Sequence, residues 1–328
     1  MTAFFSNVRI AFEQLVMLYV IVAIGVAAER LKWFPEETAK RCTQLLLYIV
    51  TPCVIVKSFL TMENTPEALR GLCVAMSGGV LLHMLGIALT MPMFRGKRHP
   101  DTDPVLHYAA MYGNCGYMSL PLVQAMVGDQ GVFYCSVIIL TFQIFSFTHG
   151  EFAMMGGFLR VKTETGLKSD AEKALKFDKR KILLNAGVLS VAAGLPLFLL
   201  RVPVPALIKS PLSSVAAMNS PLAMLMFGAY LARTRFSGIF RNRKIFLSFG
   251  VKLFVLPAAV MIFLLLIRAP KPLLNAVMIP AAAPCANNTV VFAAKHGRDT
   301  GYAAQVISLM SLVSIITMPL MIAVSLSF

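Results

Sequence analysis

The stretch Gly113-Asn114-Cys115-Gly116, followed by Pro121, and its counterpart Pro280-Ala281-Ala282-Ala283-Pro284-Cys285-Ala286-Asn287-Asn288 decide how this chain is read. Each places helix-breaking residues and an amide side chain inside an apolar run, one in each half of the sequence. A backbone carbonyl or N–H left unpaired in hydrocarbon costs several kcal/mol, so such breaks persist only where protein or a water-filled cavity satisfies them. Paired interruptions in matching positions of two halves are the sequence-level pointer to a transporter binding site.

The surroundings fit that reading. Of 328 residues, 58% are hydrophobic and 14% charged, with a mean hydropathy of +0.75. A soluble domain carries about 25% charged residues. The composition predicts an all-α polytopic membrane protein, since each crossing takes roughly 20 apolar residues. Ten spans are expected, at about 10–28, 42–60, 71–94, 105–127, 131–155, 182–200, 212–232, 245–267, 273–294 and 301–326. The seventh is the weakest, because Asn219-Ser220-Pro221 sits inside it.

The net charge of +15 invites a nucleic-acid reading, but the placement of the charges opposes it. The connections after spans 1, 3, 5, 7 and 9 hold 22 of the 30 Lys and Arg. The other side holds 6 (Arg9, Arg70, Arg201, Lys209, Arg268, Lys271), and Lys57 and Lys252 lie within spans near their ends. The positive-inside rule then sets both termini outside and the 157–181 loop in the cytoplasm. The basic excess is topology, with a lipid bilayer as partner and no nucleic acid. Localisation in a bacterial-type cytoplasmic (inner) membrane is expected, with the N-terminal apolar run read as the first span and not as a cleaved leader, because Glu13-Gln14 interrupts it.

Catalysis and metal binding find no pattern. The six cysteines (Cys42, Cys53, Cys73, Cys115, Cys135, Cys285) fall in or near spans without a Cys-x-x-Cys pair, and read as small packing residues. The histidines (His83, His99, His107, His149, His296) are scattered, with no His-Glu-x-x-His. No enzyme, metal or cofactor is expected. Glu13 and Glu151 are the only acids plausibly inside spans; the aspartates, among them Asp129 and Asp299, fall in loops or at span ends. Tight sodium or proton coupling at the breaks is therefore not favoured.

The polar run 157–181 divides the chain into a first repeat, 1–156, and a second, 182–328. Five spans on each side is an odd number, so the halves run in opposite senses, as an inverted repeat requires. The halves echo each other locally. Thr51-Pro52 matches Ser220-Pro221, and the broken spans both exit through Gly, Asp, Gly: Gly128-Asp129-Gln130-Gly131 and Gly297-Arg298-Asp299-Thr300-Gly301.

Four pieces together resemble the auxin efflux carrier family, which includes the PIN-formed auxin exporters and bacterial malonate or organic-acid carriers. They are Leu46-Leu47-Tyr48-Ile49-Val50-Thr51-Pro52-Cys53, Gly113–Leu122, Ser220-Pro221-Leu222-Ala223 with Phe227–Ala232, and Asn287-Asn288. The resemblance implies ten helices in a 5+5 inverted repeat, like the bile-acid symporter and sodium–proton antiporter folds, with helices 4 and 9 broken and crossing. It implies transport helices 3–5 and 8–10 moving against scaffold helices 1, 2, 6 and 7, and a homodimer through the scaffold. The family often has Asn-Pro at the start of helix 6, where this chain has Asn185-Ala186.

The chemistry of the breaks points to an anion. A half-helix N-terminus carries free N–H groups and about half a positive charge, and Asn adds donors without charge. Asn114, with Asn287 or Asn288, is expected to hold a substrate carboxylate beside Gly113, Cys115 and Gly116, with Thr51 and Ser220 as further lining. Pro121, Pro284, Pro52 and Pro221 are read as helix-breaking geometry. Lys57 is a candidate for attracting substrate or a snorkelling side chain, and His83 for exchanging a proton. The expected function is a secondary transporter of a mono- or dicarboxylate by alternating access. The alternatives are an ion-coupled symporter, a channel or a non-transporting sensor.

Overall fold

A computed structural model describes residues 2–94, 99–156, 185–233 and 238–327. The 157–181 linker, with Asp170 and Asp178, lies outside the described residues. The described residues form helices α1 Thr2–Arg30, α2 Glu36–Leu45, α3 Thr51–Thr61, α4 Pro66–Met93, α5 Asp103–Met111, α6 Leu120–Phe145 and α7 Glu151–Met154 in the first half. The second half forms α8 Ala186–Leu199, α9 Ala206–Ala217, α10 Asn219–Arg233, α11 Lys244–Gly250, α12 Leu256–Leu266, α13 Lys271–Ala282, α14 Asn288–Lys295 and α15 Thr300–Leu326. Among the described residues six tracts are long and apolar enough to cross a membrane: Glu37–Thr61, Pro66–Met93, Cys115–Met154, Ala206–Arg233, Lys244–Leu266 and Thr300–Ser325. The interrupted segments fall short of that length because each is divided, and α8 is apolar but only 14 residues long.

Proline shapes these tracts in two ways. Pro52, Pro121 and Pro257 each sit second in a helix that follows a π-helical turn, at Leu46–Val50, Cys115–Ser119 and Val251–Val255. Proline lacks an N–H and its ring crowds the carbonyl four residues back, so the preceding turn widens to accept it. Pro52 is thus a correction to the sequence reading: the tract Glu37–Thr61 runs through it unbroken. The seventh expected span begins earlier than expected, at Ala206, and a single turn residue, Met218, separates α9 from α10 just before Asn219-Ser220-Pro221. Asn185 caps α8 by accepting the Gly187 N–H at 2.9 Å, so the missing proline there costs no helix start.

The described loop contacts fall into two groups. At one end Arg233 pairs with Glu29 at 2.8 Å, Lys244 with Asp103 at 2.7 Å, Arg241 with Asp299 and Lys295 with Glu151. Arg298 there donates to the carbonyls of Pro100, Met154 and Met155. The opposite end joins Asn64 to the Phe198 and Leu199 carbonyls and Lys57 to Asp129 at 3.0 Å. Every basic-rich connection with a described contact lies at the first end.

The two Gly–Asp–Gly exits are alike in backbone as well as sequence. Gly128 and Gly297 both adopt positive φ, 74° and 62°, a conformation open to glycine at no steric cost. Gly128 divides what is otherwise one 26-residue helix, α6, in two.

Candidate functional site at the paired interruptions

α5 ends at Met111 and helix resumes at Cys115; α13 ends at Ala282 and helix resumes at Asn288. Between these ends the two gaps lie antiparallel, with Gly113 bridged to Cys285. The Asn114 N–H donates to the Pro284 carbonyl at 2.7 Å, and the Ala286 N–H to the Tyr112 carbonyl at 2.8 Å. Each break therefore supplies partners for the other, which is how polar backbone survives among buried Tyr112, Cys115, Cys285 and Ala286. Pro284 contributes a carbonyl where its missing N–H leaves nothing unsatisfied.

A cavity of about 50 Å³ opens against this bridge. Gly113, Asn114, Cys115 and Gly116 line it from the first break and Ala286, Asn287 and Asn288 from the second, with Thr51, Phe142 and Gln143 closing the sides. At about 10–15 Å³ per water-sized site, it has room for roughly three to five non-hydrogen atoms, enough for a carboxylate group. A smaller space of about 10 Å³ lies between the first break and α10. Asn114 and Asn287 line both.

The family model for membrane transport proteins matches residues 10–322. The chain belongs to the auxin efflux carrier family. Among curated proteins no match is found. Membership makes it a membrane transporter of several apolar helices, from a family of carriers and not of enzymes.

In this auxin efflux carrier family member the three amides at the breaks have different duties. Asn114 accepts from the Tyr117 N–H through Oδ1 at 3.1 Å, and its carbonyl accepts from the Ser119 hydroxyl at 2.9 Å. It therefore caps its own broken helix as well as lining the cavity. Asn288 lies beside the Tyr108 hydroxyl. Asn287 stands at the N-cap of α14 without a side-chain capping bond, which leaves its amide the least committed of the three. Thr51 lines the cavity as expected; Ser220 and Pro221 do not. Their neighbour Asn219 is the buried group, with neither amide atom partnered among the described residues. Pro121 lies in the first turn of α6 after the break, where a proline costs no hydrogen bond.

Lys57 is partnered. Asp129, held also by Gln124 at 3.1 Å, binds it across from the tip of the first broken helix. His83 is 1% exposed, with Nδ1 2.6 Å from the Gly79 carbonyl, its ring stacked 5.2 Å from Phe145, and no partner for Nε2 among the described residues. Glu13 pairs with Arg9 on an exposed helix face.

Two residues enter the site that the sequence reading set elsewhere. Gln143 is buried with Oε1 unpaired and faces the cavity; its position in an unbroken apolar helix gave no signal. Lys252 overturns the expectation of a residue near a span end. It is fully buried, its ammonium donates to the Ala281 carbonyl at 2.8 Å, and Nζ lies 2.9 Å from where a Cβ on Gly113 would be. Sequence distance to the end of the span suggested a snorkelling path, but α11 and the Val251–Val255 turn are packed against α5, α13 and α15, which close it.

Proposed function

We propose that the chain is a secondary carrier that moves a small organic anion, a mono- or dicarboxylate, across the cytoplasmic membrane by alternating access. The proposal includes ten spans in a 5+5 inverted repeat, the two interrupted segments crossing near the membrane centre, both termini outside and the 157–181 loop in the cytoplasm. One observation carries it: two half-helix N-termini, at Cys115 and Asn288, converge on one carboxylate-sized cavity lined by asparagine amides and backed by a buried lysine. Helix N-termini and amide donors favour an anion, and a lysine behind the bridge does so more strongly once it is protonated. No carboxylate lines the cavity, so nothing there repels one.

Asn287 is the residue to change, because Asn114 also holds the break together. Asn287→Ala in proteoliposomes should lower the flux of transported carboxylates at least tenfold while membrane abundance and melting temperature stay at the wild-type value. A variant transporting normally would sink the assignment of the site, and a carboxylate panel without any flux would sink the carrier.

A further inference from the structure

Lys252 is the one cation the cavity's chemistry leaves unanswered. Its only hydrogen-bond acceptor among the described residues is the Ala281 carbonyl, and no ion pair reaches it. The groups around it are His83 from α4, Cys115 from the first break and Cys285 from the second. α15 carries no charged residue, α13 only Lys271 at its far start, and α5 only Asp103, which is already paired with Lys244, and His107 one turn further on. An isolated ammonium in a dry interior is expensive, and a buried basic group escapes that expense by giving up its proton.

We propose that Lys252 is a proton-binding site, neutral in the empty carrier and protonated when an anion occupies the cavity, so that one proton travels with each anion. This rests on the reading that the cavity takes an organic anion. The anion supplies the counter-charge the protein omits: on binding, the Lys252 Nζ lone pair takes a proton that arrives from water, and on release the N–H bond breaks and the proton leaves with the anion. His83, buried on α4 with Nε2 unpartnered among the described residues, is the titratable ring nearest in kind to Lys252 on the elements packed around it. Proton coupling here needs no membrane carboxylate, the feature whose absence argued against it in the sequence.

The test uses the full chain in proteoliposomes with radiolabelled malonate and the membrane potential clamped at zero. Wild-type protein should accumulate malonate about tenfold for each unit of inward proton gradient. In Lys252→Met the residual flux should be indifferent to the gradient. Wild-type accumulation that ignores the gradient, or Lys252→Met that still follows it, would overturn the proton site while the carrier stands. Absence of flux for malonate and every other carboxylate would overturn both.

Discussion

Replacing Lys252 with methionine should weaken anion binding and stabilise the protein at once. Methionine keeps the volume and the unbranched shape of the side chain and removes only the ammonium. The charge sits directly behind Gly113, with Nζ 2.9 Å from the position of an added Cβ, and Gly113 forms a wall of the cavity. An anion on the far side of that peptide is about 6–8 Å from Nζ, where two unit charges attract by ~2 kcal/mol at an effective dielectric of 20. Losing that attraction weakens binding roughly thirty-fold.

The effect on folding has the opposite sign. In the empty carrier Lys252 gives up the proton it holds in the unfolded chain, which costs up to about 4 kcal/mol at neutral pH for a fully buried amine, and methionine removes that cost. The Ala281 carbonyl loses its lysine donor, which costs about 1 kcal/mol. The first effect is the larger and favours the variant. Calorimetric titration with a carboxylate and thermal melting without ligand read the two quantities on the same purified protein. A variant that binds as tightly as wild type, or melts below it, refutes the placement of an uncompensated lysine behind the bridge.

The helix contacts and loop ends give two further expectations. A methyl group on Gly228 would lie 2.1 Å from the Val22 carbonyl, and one on Gly25 would lie 2.2 Å from the Leu225 carbonyl. Small residues let these backbones meet, so Gly228→Ala should push α1 from α10 and cost at least the ~1–3 kcal/mol of core overpacking; an unchanged melting temperature in detergent would refute that close approach. Asp299 caps α15 by accepting the Tyr302 N–H at 2.8 Å and pairs with Arg241. Burial alone would raise its pKa, but the Tyr302 N–H and the Arg241 guanidinium outweigh it and hold the carboxyl below the usual range. Its stabilisation is therefore complete at neutral pH and lost as pH falls through that depressed value. Asp299→Asn should cost less than about 1 kcal/mol at neutral pH, since the pair is partly exposed, and its melting curve should merge with that of wild type in acid. A difference that persists there would refute the charge as its source.

What the sequence could and could not disclose follows from where each signal resides. Gly113, Pro284 and the amides beside them were legible because breaking a helix in an apolar span is costly and leaves residues of a distinctive kind. The membrane class was legible because apolar length and sparse charge are counted along the chain. The reach of Lys252 and Gln143 was not, since both sit in ordinary helical stretches and acquire meaning only from what packs against them. Pro52 misled for a related reason: a proline marks a disturbed hydrogen bond, but whether the helix breaks or widens into a π turn depends on its neighbours. The proposed carrier unites these two levels. The interruptions create the cavity and orient its donors, both written locally, whereas the charge that would draw an anion into it comes from a helix the sequence presents as unremarkable. A lysine in that position is tolerable only where something compensates it, and no described side chain does. The compensation must then come from outside the chain, either from a proton leaving or from an anion arriving, and a carrier that alternates between the two states has a reason to keep the residue.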